Sequence, residues 1–477
     1  MAGSRKSSPS RHTSIDLVAH VRERLKHVVA PGDRLLLGLS GGIDSTVLLH
    51  VLARLQKTLQ FELSARHVNH QISANAARWA SVCRATCRSL GVPCSVMRVT
   101  VARGNSTEAA ARDVRYAALR RSRADYIVLA HNLDDQAETV LLQLFRGAGV
   151  RGLAGMPLVL GPDSLSADHR GARAALLRPL IAVPRADIER YAATHGLEWI
   201  NDESNDDTRY TRNWLRREVL PQLGQRLPGL HATLARAAAN MAEAAILLDD
   251  LASIDIGPAA AAGELPLRVI RGLSPARAKN LLRHLIAQRG WPMPTAERLQ
   301  EALRQALEAR RDAAMVVDLG ACELRRHADA LHLLPRATAP MQARPVDWRG
   351  ETALDLPGRG TLTMTRTRGR GLSLARLTAD PVTIRARAGG ERLQPASGRP
   401  RRTVKNLLQE AGVAPWARAC LPYIYSGERL VCVPGVAIDC RFQAHRDEAG
   451  ILPVWQAASV APALTPPRAP RDCSIRR

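Results

Sequence analysis

Residues 35–49 have the sequence LLLGLSGGIDSTVLL, and the rest of the predicted fold follows from this stretch. Leu35–Leu39 is an apolar run typical of a buried strand, and Thr46–Leu55 has the apolar spacing of a helix. Gly41 and Gly42 lie between them and lack a Cβ, so the backbone can turn sharply and approach an anion closely. A helix after such a turn directs N–H groups and its positive dipole end toward the turn. The stretch therefore predicts a phosphate-binding loop.

The residue types in this loop exclude two common phosphate-binding patterns. A Walker loop needs a lysine after its last glycine, and Ile43 stands there instead; the spacing does not fit GxGxxG either. Ser40 and Ser45 add hydroxyl donors, and Asp44 adds a carboxylate that suits Mg²⁺. The alternative interpretation is an ordinary Gly-Gly turn followed by a serine-capped helix.

Strand-like and helical segments alternate through the first 222 residues. This alternation predicts an α/β domain, with a parallel sheet covered by helices on both faces. Ligands of such sheets bind beyond the carboxyl ends of the strands, where Ser40, His70 and His131 are expected. The expected strands are Leu35–Leu39, Leu63–Val68, Cys94–Val101, Tyr126–Ala130 and Leu176–Leu180. Gly147–Asp168 is rich in glycine and irregular, and is predicted to form a mobile loop.

Changes in composition divide the chain further. A Pro-containing stretch from Pro221 to Pro228 predicts a domain boundary, and the following segments predict a mainly helical middle domain and a small α+β C-terminal domain. The predicted divisions are a basic tail with an N-terminal helix (1–30), the nucleotide-binding domain (31–222), the middle domain (229–340), the C-terminal domain (382–455) and a disordered tail (456–477).

Charge and cysteine content restrict the environment and the partners. The formal net charge of +24 favours a nucleic-acid partner, although a compositional bias toward arginine is the alternative explanation. None of the eight cysteines belongs to a CxxC pair, which predicts buried free thiols in a reducing compartment. No apolar run approaches the length of about 18 residues that spans a membrane, and the N-terminus lacks the apolar core of a secretory signal. We therefore expect a cytoplasmic protein without a membrane partner.

A second group of polar residues follows the expected fourth strand. His131 stands at the strand end, where it could touch a phosphate or move a proton. Asp134, Asp135 and Glu138 follow at spacings that gather their carboxylates near the first turn of a helix. They predict a site for a cation, either Mg²⁺ or an ammonium group. The alternative is that they are first-turn acids that only stabilise the helix dipole.

The sequence of Ser40–Ser45 resembles the PP-loop of the ATP pyrophosphatases, which cleave ATP between the α and β phosphates. Together with the segment from His131 to Glu138, it resembles one family of that superfamily, the tRNA(Ile)-lysidine synthetases. Further similar segments follow in the same order: His67–His70, Asn105–Tyr116, Arg178–Leu180, Asp202–Asn205, Arg212–Arg216, Ser274–Pro294, Gly389–Lys405 and Val433–Val436. The resemblance extends from about residue 33 to about residue 455.

The resemblance implies a carbon–nitrogen ligase. ATP activates the 2-carbonyl oxygen of the wobble cytidine in isoleucine tRNA with a CAU anticodon, and free lysine then displaces AMP to give lysidine. Asp44 would hold Mg²⁺, Asp135 and Glu138 would bind the lysine ammonium, and His131 completes the expected catalytic set with these three carboxylates. The expected ATP-binding residues are Ser40, Gly41, Gly42, Ile43, Asp44 and Ser45.

Several basic residues are expected to contact the tRNA, with ordinary surface salt bridges as the alternative. These residues are Arg112, Arg115, Arg209, Arg212, Arg216, Arg401, Arg402 and Lys405. The sequence leaves the oligomeric state open, a homodimer included.

Three other functions compete with this interpretation. A tRNA thiolase shares the loop and the basic charge, but it needs sulfur-handling cysteines, usually in CxxC pairs. An amidotransferase or NAD synthetase acts on small molecules and gives no reason for a basic C-terminal domain. An RNA-binding protein with an inactive nucleotide fold would not need an intact Ser40–Ser45 loop and acidic cluster.

Overall fold

The computed structural model describes residues 15–71, 75–100, 107–161, 174–201, 207–257, 264–310, 315–336 and 344–457. The chain forms two compact units. The first extends to Asp255 and includes Arg283–Pro292; the second consists of Ile256–Leu282 and the chain from Met293 onward. The predicted domain boundaries stay predictions. Within the described ranges, no helix is both long and apolar enough to cross a membrane.

A six-stranded sheet forms the centre of the first unit, in the order β3-β2-β1-β4-β6-β5. All neighbouring strands are parallel except β5 and β6, which are antiparallel. The strands are β1 Arg34–Gly38, β2 Glu62–Asn69, β3 Cys94–Arg98, β4 Tyr126–Val128, β5 Val159–Leu160 and β6 Ala175–Leu177.

Helices cover both faces of this sheet, because successive side chains of a strand point to opposite faces. Leu35 and Leu37 of β1 belong to one apolar core, and Leu36 belongs to another that includes Leu119. The helices are α1 Leu17–Lys26, α2 Ile43–Leu59, α3 Ala76–Ser89, α4 Thr107–Arg120, α5 Leu133–Phe145, α6 Val150–Leu153, α7 Arg185–Thr194, α8 Thr211–Trp214, α9 Leu220–Arg226 and α10 Leu230–Ile256. A π-helical turn, Leu215–Val219, joins α8 to α9.

The strand order determines where a ligand can bind. The chain moves from β1 to β2 and β3 on one side, then crosses back to place β4 on the other side of β1. Segments that leave the carboxyl ends of β1 and β4 therefore diverge and leave a crevice between them, as in other doubly wound sheets. The glycine loop, Ser40–Ser45, follows β1, and the acidic segment, His131–Glu138, follows β4. The topology therefore brings the two predicted motifs together.

One local expectation was wrong. Gly147–Asp168 was expected to be a loop, but α6 and β5 lie within its described part, 147–161; both are too short for their periodicity to be recognised. The segment from Pro221 to Pro228 stays a predicted boundary, and its first residue, Pro221, lies in the first turn of α9. Proline is tolerated there because a first-turn N–H needs no helical partner.

The second unit combines helices with antiparallel sheets. Helices α11 Leu267–Arg271, α12 Pro275–Gln288 and α13 Ala296–Glu308 occupy its first part, although α12 is divided between the two units. They are accompanied by a sheet in the order β7-β10-β9-β8. Its strands are β7 Glu264–Pro266, β8 Val316–Asp318, β9 Cys322–His327 and β10 Ala330–Pro335.

The remainder of the second unit is mostly β. Its three sheets have the orders β11-β15-β18-β19-β20, β12-β13-β21-β14 and β16-β17. The strands are β11 Val346–Trp348, β12 Ala353–Leu356, β13 Gly360–Arg368, β14 Leu372–Ser373, β15 Val382–Arg385, β16 Arg392–Leu393, β17 Arg402–Thr403, β18 Tyr423–Ser426, β19 Arg429–Val433, β20 Ala437–Ile438 and β21 Ala449–Ala457. The helices are α14 Leu374–Leu377, α15 Val404–Glu410 and α16 Pro415–Arg418.

The predicted fold class is confirmed: a parallel-sheet α/β domain precedes a helical region and a small C-terminal domain. The predicted C-terminal tail begins too early, because β21 extends to Ala457. The rest of that tail and residues 1–14 lie outside the described residues.

Candidate active site

The loop after β1 requires glycine at position 41. Gly41 has a φ of +91°, a conformation that side chains with a Cβ rarely adopt. A Cβ there would overlap Ile200 Cδ1 and lie 3.1 Å from Cys83 Sγ. The N–H of Ile200 also donates to the Gly41 carbonyl over 2.9 Å. Ile200 and Cys83, which are distant from the loop in the sequence, therefore hold the backbone of Gly41 in place.

The two loop serines stabilise the turn from within. The N–H of Gly41 donates to Ser45 Oγ at 3.2 Å, and the N–H of Gly42 donates to Ser40 Oγ at 3.3 Å. The two hydroxyl oxygens are 3.0 Å apart. Gly42 is the N-cap of α2 and has no side chain to cap it. The start of α2 is therefore suited to a phosphate, which accepts more strongly than a neutral hydroxyl.

Asp44 joins the loop to the segment after β4. Its Oδ1 accepts from Asn132 Nδ2 at 2.9 Å, and its Oδ2 accepts from Arg185 at 3.2 Å. Burial and the charge of Asp135 raise the pKa of Asp44, whereas the Arg185 guanidinium and Asn132 lower it. Burial has the largest effect, so the pKa of Asp44 is raised. Each carboxylate oxygen keeps a further lone pair, so Asp44 can still share a Mg²⁺ ion with phosphate oxygens. Among the described residues, no group of three or more His, Cys, Asp or Glu side chains could hold a metal by itself.

Asn132 and Asp135 form a capping box at the start of α5. The Asn132 side chain accepts from the N–H groups of Asp134 and Asp135, each at 3.0 Å. Asp135 Oδ2 in turn accepts from the Asn132 N–H at 3.1 Å. The capping interpretation thus applies to one oxygen of Asp135, while its other oxygen belongs to a charged cluster.

That cluster, here called the carboxylate–guanidinium cluster, consists of Asp135, Glu138, Arg212 and Arg216. Glu138 is fully buried, and it accepts from Arg212 Nε at 2.7 Å and from Arg216 Nε at 2.5 Å. Asp135 Oδ1 accepts from both guanidinium groups, at 3.1 and 2.9 Å. Burial raises the pKa of Asp135, but Arg212, His131 and Arg216 outweigh it and leave a lowered pKa. The cluster is therefore charged and internally neutralised.

His131 lies beside this cluster as a neutral, unsatisfied side chain. Its Nδ1 is buried and has no hydrogen-bond partner among the described residues. Burial lowers the pKa of His131 to about 3, because the nearby Asp135 only partly opposes burial and the charges of Arg178 and Arg212. Arg178 is 4% exposed, donates to the Pro157 carbonyl at 3.0 Å and keeps a buried, unpartnered Nε. Unsatisfied buried groups of this kind suit a polar ligand.

His70, at the end of the second strand, repeats this pattern. Its Nδ1 is buried without a hydrogen-bond partner in the described part of the chain, and Arg115 Nε lies 3.4 Å from its Nε2. Burial and the Arg115 charge lower the pKa of His70 to about 4. The lowered pKa of both histidines favours the neutral imidazole at pH 7, so each can accept a hydrogen bond from a ligand without carrying a charge.

Replacing His131 by glutamine is expected to reduce the loss of stability in acid. Folding lowers the pKa of His131 from 6.5 to about 3. Between these values the unfolded chain binds a proton that the folded chain does not, so stability falls as pH decreases through this window. Urea unfolding at pH 7 and pH 4.5 measures the effect. The free energy of unfolding should decrease less in the variant; an equal decrease in both proteins would contradict the assignment.

The remaining predicted tRNA-contact residues are dispersed. The Arg112 guanidinium lies 5.6 Å from the centre of the Tyr116 ring in α4. The Arg209 side chain is 89% exposed and pairs with Asp207. In the second unit, Arg401 donates to the Arg392 carbonyl, Arg402 pairs with Glu410, and Lys405 is exposed on α15.

Sequence reasoning missed Arg185 and the structural role of Asn132. Arg185 is the first residue of α7; besides contacting Asp44, it donates its N–H to Asp134 Oδ1 at 3.2 Å. A cation at a helix N-terminus interacts unfavourably with the helix dipole. This position of Arg185 was the sequence feature that could have indicated a role in the site.

Comparisons with known proteins match three parts of the chain to family models. A family model described as a PP-loop domain matches residues 17–223, a TilS substrate-binding domain matches 265–332, and a TilS substrate C-terminal domain matches 382–455. The chain is 43% identical to the tRNA(Ile)-lysidine synthase of Nitrosomonas europaea, over 96% of this chain and 99% of that protein. It is 42% identical to the synthase of Pseudomonas aeruginosa, over 83% of this chain and 88% of that protein.

A solved structure, the U34-tRNA thiolase NcsA of Methanococcus maripaludis with its [4Fe-4S] cluster, is similar with a TM-score of 0.41 and 20% identity. The similarity covers 48% of this chain and 78% of the thiolase. The full-length relatives match all three parts of the chain, from the loop to the C-terminal sheets. On the similarity to these full-length relatives and to the family models, the chain belongs to the tRNA(Ile)-lysidine synthase family.

Proposed function

We propose that this chain ligates free L-lysine to carbon 2 of the wobble cytidine in isoleucine tRNA with a CAU anticodon. ATP first adenylates the cytidine 2-oxygen and releases pyrophosphate; the lysine amine then displaces AMP. One observation carries the proposal: Asp44 of the glycine loop contacts Asn132, which caps the helix that carries Asp135 and Glu138. This contact supports a nucleotide site beside an acidic site for the lysine ammonium, as a two-step ligation would require.

The glycine loop would bind the phosphates of ATP. The N–H groups of Gly41 and Gly42, the hydroxyls of Ser40 and Ser45, and the positive end of α2 would stabilise negative charge as the bond to pyrophosphate breaks. Mg²⁺ held by Asp44 and by phosphate oxygens would neutralise part of the same charge.

The carboxylate–guanidinium cluster would receive the lysine side chain. Asp135 and Glu138 supply the carboxylates, but both already hold two guanidinium groups. An incoming ammonium must therefore share or replace one of these cations. Arg216 is the better candidate for displacement, because its side chain is 37% exposed and that of Arg212 is 20% exposed. A carboxylate released in this way could also take the proton that the amine must lose before it attacks.

Recognition of tRNA would use the basic charge of the chain. Arg112, Arg115 and Arg209 would contribute in the first unit, and Arg401, Arg402 and Lys405 in the second. We place the reaction in the cytoplasm, where tRNA, ATP and lysine occur together. The oligomeric state, which the sequence leaves open, would be determined by sedimentation analysis.

The direct test follows labelled lysine into tRNA. Purified protein is incubated with ATP, Mg²⁺, labelled lysine and an isoleucine tRNA transcript with the CAU anticodon. A matched transcript with uridine at the wobble position is the control. Label should enter the first transcript only. Label in neither transcript would reject the ligase, and label in both would reject the cytidine as the acceptor.

Replacing Asp44 by asparagine is expected to lower lysine incorporation by a factor of about 100 or more, because removal of one charge-stabilising group has costs of this size. Binding of tRNA, measured by filter retention, should change little. Asp33→Asn is the matched control, since Asp33 lies before β1 and its side chain accepts a turn hydrogen bond from the Ala30 N–H. Full turnover in Asp44→Asn would show that the role assigned to Asp44 is wrong.

A further inference from the structure

Three cysteines on α3 and β3 lie close together, near the glycine loop. Cys83 and Cys87 are one helical turn apart on α3, and Cys94 is the first residue of β3. The chain reverses between them at Gly91, whose φ is +66°, and the N–H of Val92 donates back to the Cys87 carbonyl. This reversal packs Cys94 against the apolar core that contains Cys83 and Cys87.

The two thiols differ in exposure. Cys87 is buried, whereas Cys94 is partly exposed and lines a surface cavity of about 370 Å³ together with Arg84 and Arg88. The expectation that the cysteines are buried is therefore wrong for Cys94, as it is for Cys420 and Cys440. The hydrogen bond from Cys87 and the Arg84 charge lower the pKa of Cys94 to about 7 against the opposing effect of burial. The hydrogen bond to Cys94 and burial raise the pKa of Cys87.

This arrangement suits redox chemistry rather than a metal. Across the described ranges, no group of three or more His, Cys, Asp or Glu side chains has a geometry that could hold a metal ion. A partly exposed cysteine with thiolate character beside a second cysteine is the arrangement found in oxidation-sensitive sites.

We propose that Cys94 and Cys87 form a reversible disulfide when the protein meets a hydroperoxide. The Cys94 thiolate attacks the terminal hydroxyl oxygen of the hydroperoxide; an S–O bond forms, the O–O bond breaks, and the departing alkoxide or hydroxide takes a proton from solvent and leaves as an alcohol or water. Cys87 then attacks the sulfenic sulfur, forming the S–S bond while the S–O bond breaks, and water leaves with the Cys87 proton. Two thiols are thus oxidised by two electrons, and one hydroperoxide is reduced.

The disulfide acts on the nucleotide site through α3. Cys83, one turn before Cys87, has its Sγ 3.1 Å from the position of a Cβ on Gly41 and 3.5 Å from His67 Nδ1. His67 Nδ1 in turn lies 3.0 Å from the Leu39 carbonyl, directly before the loop. A bond that repositions this turn of α3 disturbs the packing beneath Gly41, so the oxidised protein binds ATP more weakly.

Peptide mapping tests the chemistry, because trypsin cleaves after Arg78, Arg84, Arg88 and Arg98 and places the three cysteines on separate peptides. The full chain is treated with hydrogen peroxide, alkylated and digested. We expect a linked pair formed by peptides 85–88 and 89–98, which dithiothreitol separates. Cys83→Ser is the matched control and should still form this pair. In Cys87→Ser, dimedone should label Cys94 as a persistent sulfenic acid.

Alkylation of the untreated protein at pH 7 gives a test that needs no variant to fold. Cys94 should react about threefold or more faster than the partly exposed Cys420 and Cys440, because the neighbouring Cys87 thiol and the Arg84 charge lower the pKa of Cys94. ATP titration of the reduced and peroxide-treated proteins completes the experiment, and the oxidised form should bind about tenfold more weakly. A slower Cys94, a link to any other cysteine, or unchanged ATP affinity after the link forms would overturn the proposal.

Discussion

Gly41→Ala is expected to abolish ATP-dependent turnover and to destabilise the first unit. A φ of +91° is strained for alanine, and the new Cβ would overlap Ile200 Cδ1. Such backbone strain costs about 1–3 kcal/mol. Moving the loop to relieve it would displace the groups that bind phosphate, and a displacement of about 1 Å can lower a rate about 100-fold. Urea unfolding and AMP release measure the two effects.

Gly42→Ala is the matched control for this prediction. Its backbone has φ −70° and ψ 164°, which any residue adopts, and its Cβ would meet only Ser40 Oγ at 3.6 Å. Its free energy of unfolding should stay within about 0.5 kcal/mol of the parent value. If the two variants had the same stability, the special conformation assigned to Gly41 would be wrong.

Glu138→Ala is expected to remove lysine transfer and to destabilise the protein by about 3 kcal/mol. Glu138 is fully buried and accepts from both Arg212 and Arg216, so its loss leaves Asp135 as the remaining carboxylate of the cluster for two partly buried cations. Glu138→Gln retains the shape of the side chain but not its charge, and it should lose lysine transfer as well. The free energy of urea unfolding and the incorporation of labelled lysine are the measurements.

Glu189→Ala provides the comparison on the surface. Glu189 also pairs with an arginine, accepting from Arg185 Nε at 2.9 Å, but its side chain is 54% exposed. Exposed pairs of this kind contribute less than about 1 kcal/mol. Equal losses in Glu138→Ala and Glu189→Ala would mean that the buried cluster contributes no more than a surface ion pair.

The sequence was sufficient to predict the meeting of the two motifs at the crevice. Apolar runs and glycines in Leu35–Leu49 indicate a strand, a turn and a helix, and βα alternation then orders the sheet. The position of the crevice follows from the general rule for such sheets, without knowledge of any side chain.

The contacts within the site could not be predicted in the same way. Arg212 and Arg216 were expected to contact tRNA, but they lie 74 and 78 residues after Glu138 and pair with it. No short-range sequence pattern indicates an ion pair between residues so far apart in the chain. The π-helical turn that holds Arg216 also breaks the helical periodicity on which such expectations depend.

Asp135 illustrates why two interpretations of one residue can both apply. One of its oxygens caps α5, as a first-turn acid would, and the other accepts from two guanidinium groups. The helix fixes the carboxylate while the arginines keep it ionised. A side chain fixed in this way can bind a cation with little further loss of conformational entropy.

Release of AMP from ATP and Mg²⁺, measured with and without the CAU isoleucine tRNA and with and without lysine, tests the central claim most directly. We predict that AMP appears only when both the tRNA and lysine are present. Release that requires the tRNA but not lysine would contradict lysine as the nucleophile. A sulfur nucleophile, as in a tRNA thiolase, would then be the first alternative to test. Release without tRNA would contradict the cytidine as the group that ATP activates.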